Sequence, residues 1–187
     1  MCSRKHRGAP APERRYRAGV SASAPPVLFL DVDGPLIPFG ATREQLPDGY
    51  PTFGESGPNP LIARIDPDHG RRLRALPCEL VWATTWMSDA NECVAPWLGL
   101  PELPVVTWPE PSHAGGTSGL HWKTPALVRW AAGRPFAWVD DEIAEADRAW
   151  VEAHHPGRAL LHRVEAWRGL TGADFAVLEA WLGRFPD

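Results

Sequence analysis

Val27-Leu28-Phe29-Leu30-Asp31-Val32-Asp33-Gly34 runs from four apolar residues with strand character straight into two aspartates and a glycine. A second run, Phe136-Ala137-Trp138-Val139, ends the same way, on Asp140 and Asp141. In all, strand-like apolar runs fall at 27–32, 79–84, 104–107, 136–140 and 159–164, so the acidic pair closes the fourth of them. Helix-like segments separate them. That alternation predicts a parallel sheet covered on both sides by helices, a Rossmann-like three-layer α/β/α sandwich whose central sheet is mainly parallel.

The helix signals are local. Asp66 before Pro67 offers an N-cap with proline at the first helical position, and Thr124 before Pro125 repeats the device. Ser88 is placed to cap a helix bearing Val94, Trp97 and Leu98. Residues 142–154 set Ile143, Ala146, Ala149, Trp150 and Ala153 along one expected inner face. Thr171 and Asp174 have capping-box spacing ahead of a helix that faces inward with Phe175, Leu178 and Leu182. The His154-His155 pair before Pro156-Gly157 reads as a helix end. There is no internal repeat and no sign of a second domain.

Composition bounds the class. A chain of 187 residues that is 44% hydrophobic suits one globular core. Its apolar runs fall short of the roughly 20 residues that span a bilayer, and the N-terminus lacks the apolar stretch of a secretion signal, so a cytoplasmic protein without a membrane partner is expected. Cys2, Cys78 and Cys93 are odd in number and lack metal-ligand spacing, which argues against a disulfide framework or a zinc site. The net charge of −4 is unevenly spread: Arg4, Lys5, Arg7, Arg14, Arg15 and Arg17 against Glu13 give residues 1–26 a charge of +5, and the remainder carries −9. With Pro10, Pro12, Pro25 and Pro26 and little to bury, this segment is expected to be a disordered basic arm ahead of a domain at 27–187. Such an arm could follow a polyanion such as RNA, but solvated tails of this kind are commoner and that reading stands ahead.

In an α/β sheet of this kind ligands bind beyond the carboxyl ends of the strands. Asp31 and Asp33 lie there, leaning the same way if the extended conformation persists, and Gly34 allows a sharp exit. Thr84 and Thr85 end the run Glu79-Leu80-Val81-Trp82-Ala83. Lys123 precedes the helix expected to be capped by Thr124, where a cation beside free helical N–H groups favours a phosphate oxygen. Asp140 and Asp141 add two more carboxylates. So many acids at one point repel one another, and a hard divalent cation with oxygen ligands, Mg²⁺, is the economical remedy.

These residues resemble the haloacid dehalogenase superfamily of phosphohydrolases, in motif order: Asp31-Val32-Asp33-Gly34-Pro35-Leu36, Trp82-Ala83-Thr84-Thr85-Trp86, Lys123-Thr124-Pro125 and Trp138-Val139-Asp140-Asp141-Glu142. In detail the chain is most similar to the branch found in Swiss army knife RNA repair proteins, through Trp82-Ala83-Thr84-Thr85-Trp86. The resemblance covers Val27 to the C-terminus. It implies that Asp31 is the nucleophile that becomes an aspartyl-phosphate, that Asp33 is the general acid and base, and that Thr84 and Lys123 hold the phosphoryl group. It further implies Mg²⁺ held by the Asp31 side chain, the Asp33 backbone carbonyl and the pair Asp140 and Asp141. Pro35 stands where threonine is commoner, which bears on hydrogen bonding in the turn. Cap domains screen the site in this superfamily. Here residues 35–65, rich in proline and glycine, suit an irregular flap, and an open site would admit phosphorylated nucleic acid ends or nucleotides as well as small metabolites.

Taken singly, each motif residue also reads as a turn, cap or surface position; their order along the chain favours the enzyme. A receiver-like phosphoacceptor places its acidic pair after the first strand and its acceptor after the third, the reverse of the order here. An inactive RNA-binding domain would keep the arm and the tryptophans without releasing phosphate. Of ten tryptophans, Trp82, Trp138, Trp97, Trp150 and Trp181 fit core or helix faces, whereas Trp86 and Trp122 are placed to touch a substrate together with Thr85 and Gly34. The 107–120 loop, with Trp108, His113 and Gly115-Gly116, is a second candidate rim. The seven histidines show no metal-site spacing and read as solvated or capping. Oligomeric state leaves no trace in the chain.

Overall fold

The computed structural model describes residues 24–55, 59–108 and 119–185. All but the last three residues of the expected basic arm lie outside that range, as do Cys2, His6, His113 and Gly115-Gly116. Strands β1 (Val27–Leu30), β2 (Glu79–Trp82), β3 (Phe136–Asp140) and β4 (Ala159–Arg163) form one parallel sheet in the order β2-β1-β3-β4. Helices α1 (Asp68–Ala75), α2 (Ala95–Leu98), α3 (Thr124–Ala131), α4 (Glu145–His154) and α5 (Gly172–Leu182) cover it.

The central strands β1 and β3 are buried on both faces, so consecutive residues serve opposite layers. Leu28, Leu30, Trp82, Ala137 and Val139 pack beneath α1, α2 and α5 with Leu73, Leu98, Phe175 and Leu178. Val27, Phe29, Val81, Phe136 and Trp138 pack on the other side against Leu127 and Ala131 of α3 and Val151 of α4. This is the three-layer sandwich expected from the apolar runs. None of the described helices is long and apolar enough to cross a membrane.

The run at 104–107 is not a full strand. Val105 alone bridges Trp82, whose N–H donates to the Pro104 carbonyl at 2.8 Å while Val106 N–H returns a bond to the Trp82 carbonyl at 2.9 Å. Pro104 has no N–H with which to extend the ladder. Asp140 therefore closes the third strand of the sheet rather than a fourth. The chain steps outward from β1 to β2 and this flanking segment, then crosses back to lay down β3 and β4. The crossing leaves a crevice at the carboxyl ends of β1 and β3.

Several helix details differ from expectation. Along 142–154, Ala146, Ala149 and Ala153 are exposed, and the buried positions are Ile143 ahead of α4 and Asp147 and Val151 on it. Thr124 is the first residue of α3 rather than its cap, its hydroxyl being committed to Asp147 at 2.6 Å. The segment after Ser88 opens with a wide turn at 90–94 before α2, which accommodates Pro96, and the Ser88 side chain makes no cap. At α5 the expected signal holds, with the Asp174 carboxylate accepting the Thr171 N–H at 2.8 Å.

Candidate active site

β1 ends at Leu30, and the extended conformation expected to carry Asp31 and Asp33 onto one side does not persist. The chain bends at Val32, whose carbonyl accepts the N–H groups of Leu36 at 3.0 Å and Ile37 at 2.9 Å. Gly34, at φ +84°, makes the turn in a region that costs other residues about 1 kcal/mol or more. A Cβ there would lie 2.5 Å from Asp141 Oδ1, so glycine is needed for space as well as for conformation. Pro35 fits because its carbonyl, not an N–H, is used: it accepts from Leu170 N–H at 2.8 Å.

Asp31 is 7% exposed and Asp140 and Lys123 are more deeply buried still. Lys123 Nζ bridges the two acids, 2.6 Å from Asp31 Oδ2 and 2.8 Å from Asp140 Oδ2. The other Asp31 oxygen accepts Val32 N–H at 2.8 Å. Asp140 also takes the Trp138 indole N–H at 3.2 Å and Glu142 N–H at 2.9 Å. Carboxylate oxygens of Asp31, Asp140 and Asp141 lie within 4.8 Å of one another.

What holds Lys123 at the centre is a residue that the sequence reading missed. Asp147, fully buried on α4, accepts His121 N–H at 2.8 Å, the Thr124 hydroxyl at 2.6 Å and Ala144 N–H at 2.8 Å. It ties the start of α3 to the start of α4, on either side of Lys123. His121, half-buried and with a site role of its own, was missed as well. Its Nδ1 accepts Lys123 N–H at 3.1 Å, which leaves the Nε2 proton to donate to Glu142 at 3.1 Å. His121, Asp140 and Glu142 form a second close trio. With these bonds already made, it reads as a hydrogen-bonded brace.

Three carboxylates and one ammonium leave a surplus of two negative charges. Burial pushes Asp31 up to about 7, opposed by Lys123 and reinforced by the charge of Asp140. Asp141 is raised for the same first reason, burial, with Asp140 adding to it. Burial alone would lower Lys123, but Asp31 and Asp140 outweigh it and hold the ammonium above its usual range. A divalent cation would cancel the surplus, and the donors on offer are the hard oxygens that Mg²⁺ takes. The Asp33 carboxylate stands outside this trio, its Oδ2 bound to the Trp86 indole N–H at 2.9 Å.

Of the two threonines, Thr84 is fully buried and Thr85 exposed. Thr84 lies next to the first motif: Ala83 N–H bonds the Leu30 carbonyl at 2.9 Å, and Thr84 Oγ1 accepts Trp86 N–H at 3.3 Å. Trp108 donates its indole N–H to the Thr84 carbonyl at 3.2 Å. Trp122 is half exposed and meets Trp108 edge to face, with ring centres 4.8 Å apart. The structure thus brings together Asp31, Gly34, Lys123, Asp140 and Asp141, sets Asp33, Thr84 and Trp86 beside them, and leaves Thr85 and Trp122 at the rim. Residues 109–118 of the second candidate rim lie outside the described residues.

The family model for the HAD domain in Swiss Army Knife RNA repair proteins matches residues 27–175. No curated protein and no solved structure matches the chain.

Proposed function

From a chain that belongs to the family of HAD domains in Swiss Army Knife RNA repair proteins, we propose a Mg²⁺-dependent phosphohydrolase that works through an aspartyl-phosphate on Asp31 and acts on phosphorylated nucleic acid ends or nucleotides. The family points to a phosphohydrolase, and it generally uses Mg²⁺. The observation that carries the reading is Lys123 bridging Asp31 and Asp140 while Asp141 lies within reach of both.

Asp31, Asp140 and Asp141 would hold the cation, together with the Asp33 backbone carbonyl. When bound, it supplies positive charge that keeps Asp31 ionised and offsets the charge of the phosphoryl group. Asp31 attacks phosphorus, forming the phosphorus–oxygen bond of the aspartyl-phosphate as the ester bond breaks, and Asp33 gives its proton to the departing oxygen. Asp33 then takes a proton from the water that attacks the same phosphorus, releasing inorganic phosphate and returning Asp31. Lys123 and the Thr84 hydroxyl bind phosphoryl oxygens through both steps.

Substrate size follows from what lies over the site. Among the described residues between β1 and the turn at Pro60–Arg64 there is no helix, so the insertion is an irregular flap rather than a helical cap. A flap without a helix, among these described residues, is compatible with a bulky phosphorylated end. The test is Mg²⁺-dependent release of inorganic phosphate from an aryl phosphate by the wild-type protein and by Asp31→Asn, with circular dichroism as the fold control. Loss of turnover with the fold intact supports the proposal; a folded variant that keeps its activity refutes it.

A further inference from the structure

We infer that Trp122 is a binding residue for the nucleobase of the substrate, resting on the phosphohydrolase reading for the position of the phosphate. Large aromatic side chains are usually covered, as Trp82 and Trp138 are here, both fully buried in the sheet. Trp122 instead stands 50% exposed, at the mouth of the site. Its ring centre is 5.7 Å from Lys123 Nζ, the ammonium that touches Asp31 and Asp140. A phosphoryl group bound by Lys123 therefore has this indole about one sugar's reach away, where the base of a nucleotide would lie.

The ledge is held in place rather than loose. Trp108 braces Trp122 edge to face and is itself anchored by its indole N–H to the carbonyl of Thr84. His121 also lies nearly parallel to Trp122, with ring centres 5.6 Å apart and planes 27° from parallel, and is fixed by Lys123 N–H and Glu142. The Glu142 side chain, 68% exposed, offers a carboxylate to a ribose hydroxyl or an exocyclic amine. An indole fixed before the ligand arrives loses little entropy on binding, and base–aromatic stacking holds whatever the base. A ribose phosphate would make the phosphate contacts and forgo the stacking.

Binding is measured by calorimetry with Mg²⁺ present, on Asp31→Asn and on Asp31→Asn/Trp122→Ala. The probes are adenosine 5′-monophosphate, uridine 5′-monophosphate, ribose 5-phosphate and single-stranded RNA oligomers phosphorylated at the 3′ or 5′ end. The expected result is that base-bearing probes bind Asp31→Asn at least about tenfold tighter than ribose 5-phosphate, with little preference between adenine and uracil. Trp122→Ala removes that advantage without weakening ribose 5-phosphate, and Trp122→Phe keeps part of it. Comparing the mononucleotides with the oligomers shows which source of the base the site prefers. Equal binding of ribose 5-phosphate and the nucleotides, or a base advantage that survives in a folded Trp122→Ala variant, overturns the inference. Failure of the phosphohydrolase reading shows separately, as wild-type protein that releases no phosphate from any of these esters.

Discussion

The indole Nε1 of Trp86 donates to Asp33 Oδ2 at 2.9 Å, joining the second motif to the first across 53 residues of chain. The bond holds the Asp33 carboxylate beside the cluster of Asp31, Asp140 and Asp141, outside the trio itself. In the proposed reaction Asp33 must meet first a leaving oxygen and then a water, so its orientation matters at both steps. Trp86→Phe keeps most of the ring and deletes the donor. Turnover of a poor leaving group, such as an alkyl phosphate, is expected to fall roughly tenfold, the worth of about one hydrogen bond to a charged group. Turnover of an aryl phosphate, which needs less protonation, should fall less. Steady-state kinetics on the two esters checks this.

Asp31 couples stability to pH and to metal. Its folded pKa of about 7 lies above the ordinary value of 3.8, so between those values the folded protein holds a proton that the unfolded chain releases. The metal-free fold therefore loses stability as pH rises through that window and levels off above it. Asp31→Asn, which carries no charge at any pH, is expected to melt higher than wild type in EDTA at pH 8 and much like it near pH 4. Added Mg²⁺ should raise the wild-type melting temperature more than that of the variant. Thermal melts in EDTA and in Mg²⁺ at the two pH values check both statements.

Gly34 is held by two independent constraints, a left-handed backbone and the Asp141 carboxylate 2.5 Å from any added Cβ. Gly34→Ala is expected to cost about 1–2 kcal/mol in folding from the backbone alone. Because the clash falls on Asp141, Mg²⁺ affinity should fall as well. Denaturant unfolding and metal titration separate the two effects.

Asp147 predicts a structural defect that reads as a catalytic one. Removing its carboxylate leaves the His121 N–H, the Thr124 hydroxyl and the Ala144 N–H without their acceptor. Asp147→Ala is expected to destabilise the protein by about 3 kcal/mol or more and to lower activity by shifting Lys123. Asp147→Asn, which keeps an acceptor oxygen, should recover part of both. Unfolding and phosphate-release assays on the pair check the ranking.

How far these features were legible in the chain depends on how local their causes are. The sheet shows because strands buried on both faces must be apolar throughout, as Val27–Leu30 and Phe136–Val139 are. The meeting of Asp31, Lys123, Asp140 and Asp141 follows from the same topology, since parallel strands present all their carboxyl ends on one edge. Asp147 was hidden because a search for an apolar face on 142–154 settles on the alanines, whereas the buried position there is an acid whose partner Thr124 lies 23 residues earlier. The run at 104–107 has strand composition but a proline at its start, and only pairing geometry shows that it contributes one bridge. Trp86 could be placed near the site from its distance to Thr84, but not as the partner of Asp33, which depends on the bend at Val32.

The proposed chemistry is tested most directly by trapping the phosphoenzyme. Wild-type protein is mixed with substrate and Mg²⁺, quenched in acid during turnover, reduced with borohydride and mapped by mass spectrometry. Reduction of an aspartyl-phosphate to homoserine at position 31, dependent on Mg²⁺ and absent in Asp31→Asn, is the predicted result. Phosphate release with the modification at another residue, or with none at Asp31 while Asp31→Asn still turns over, would contradict it.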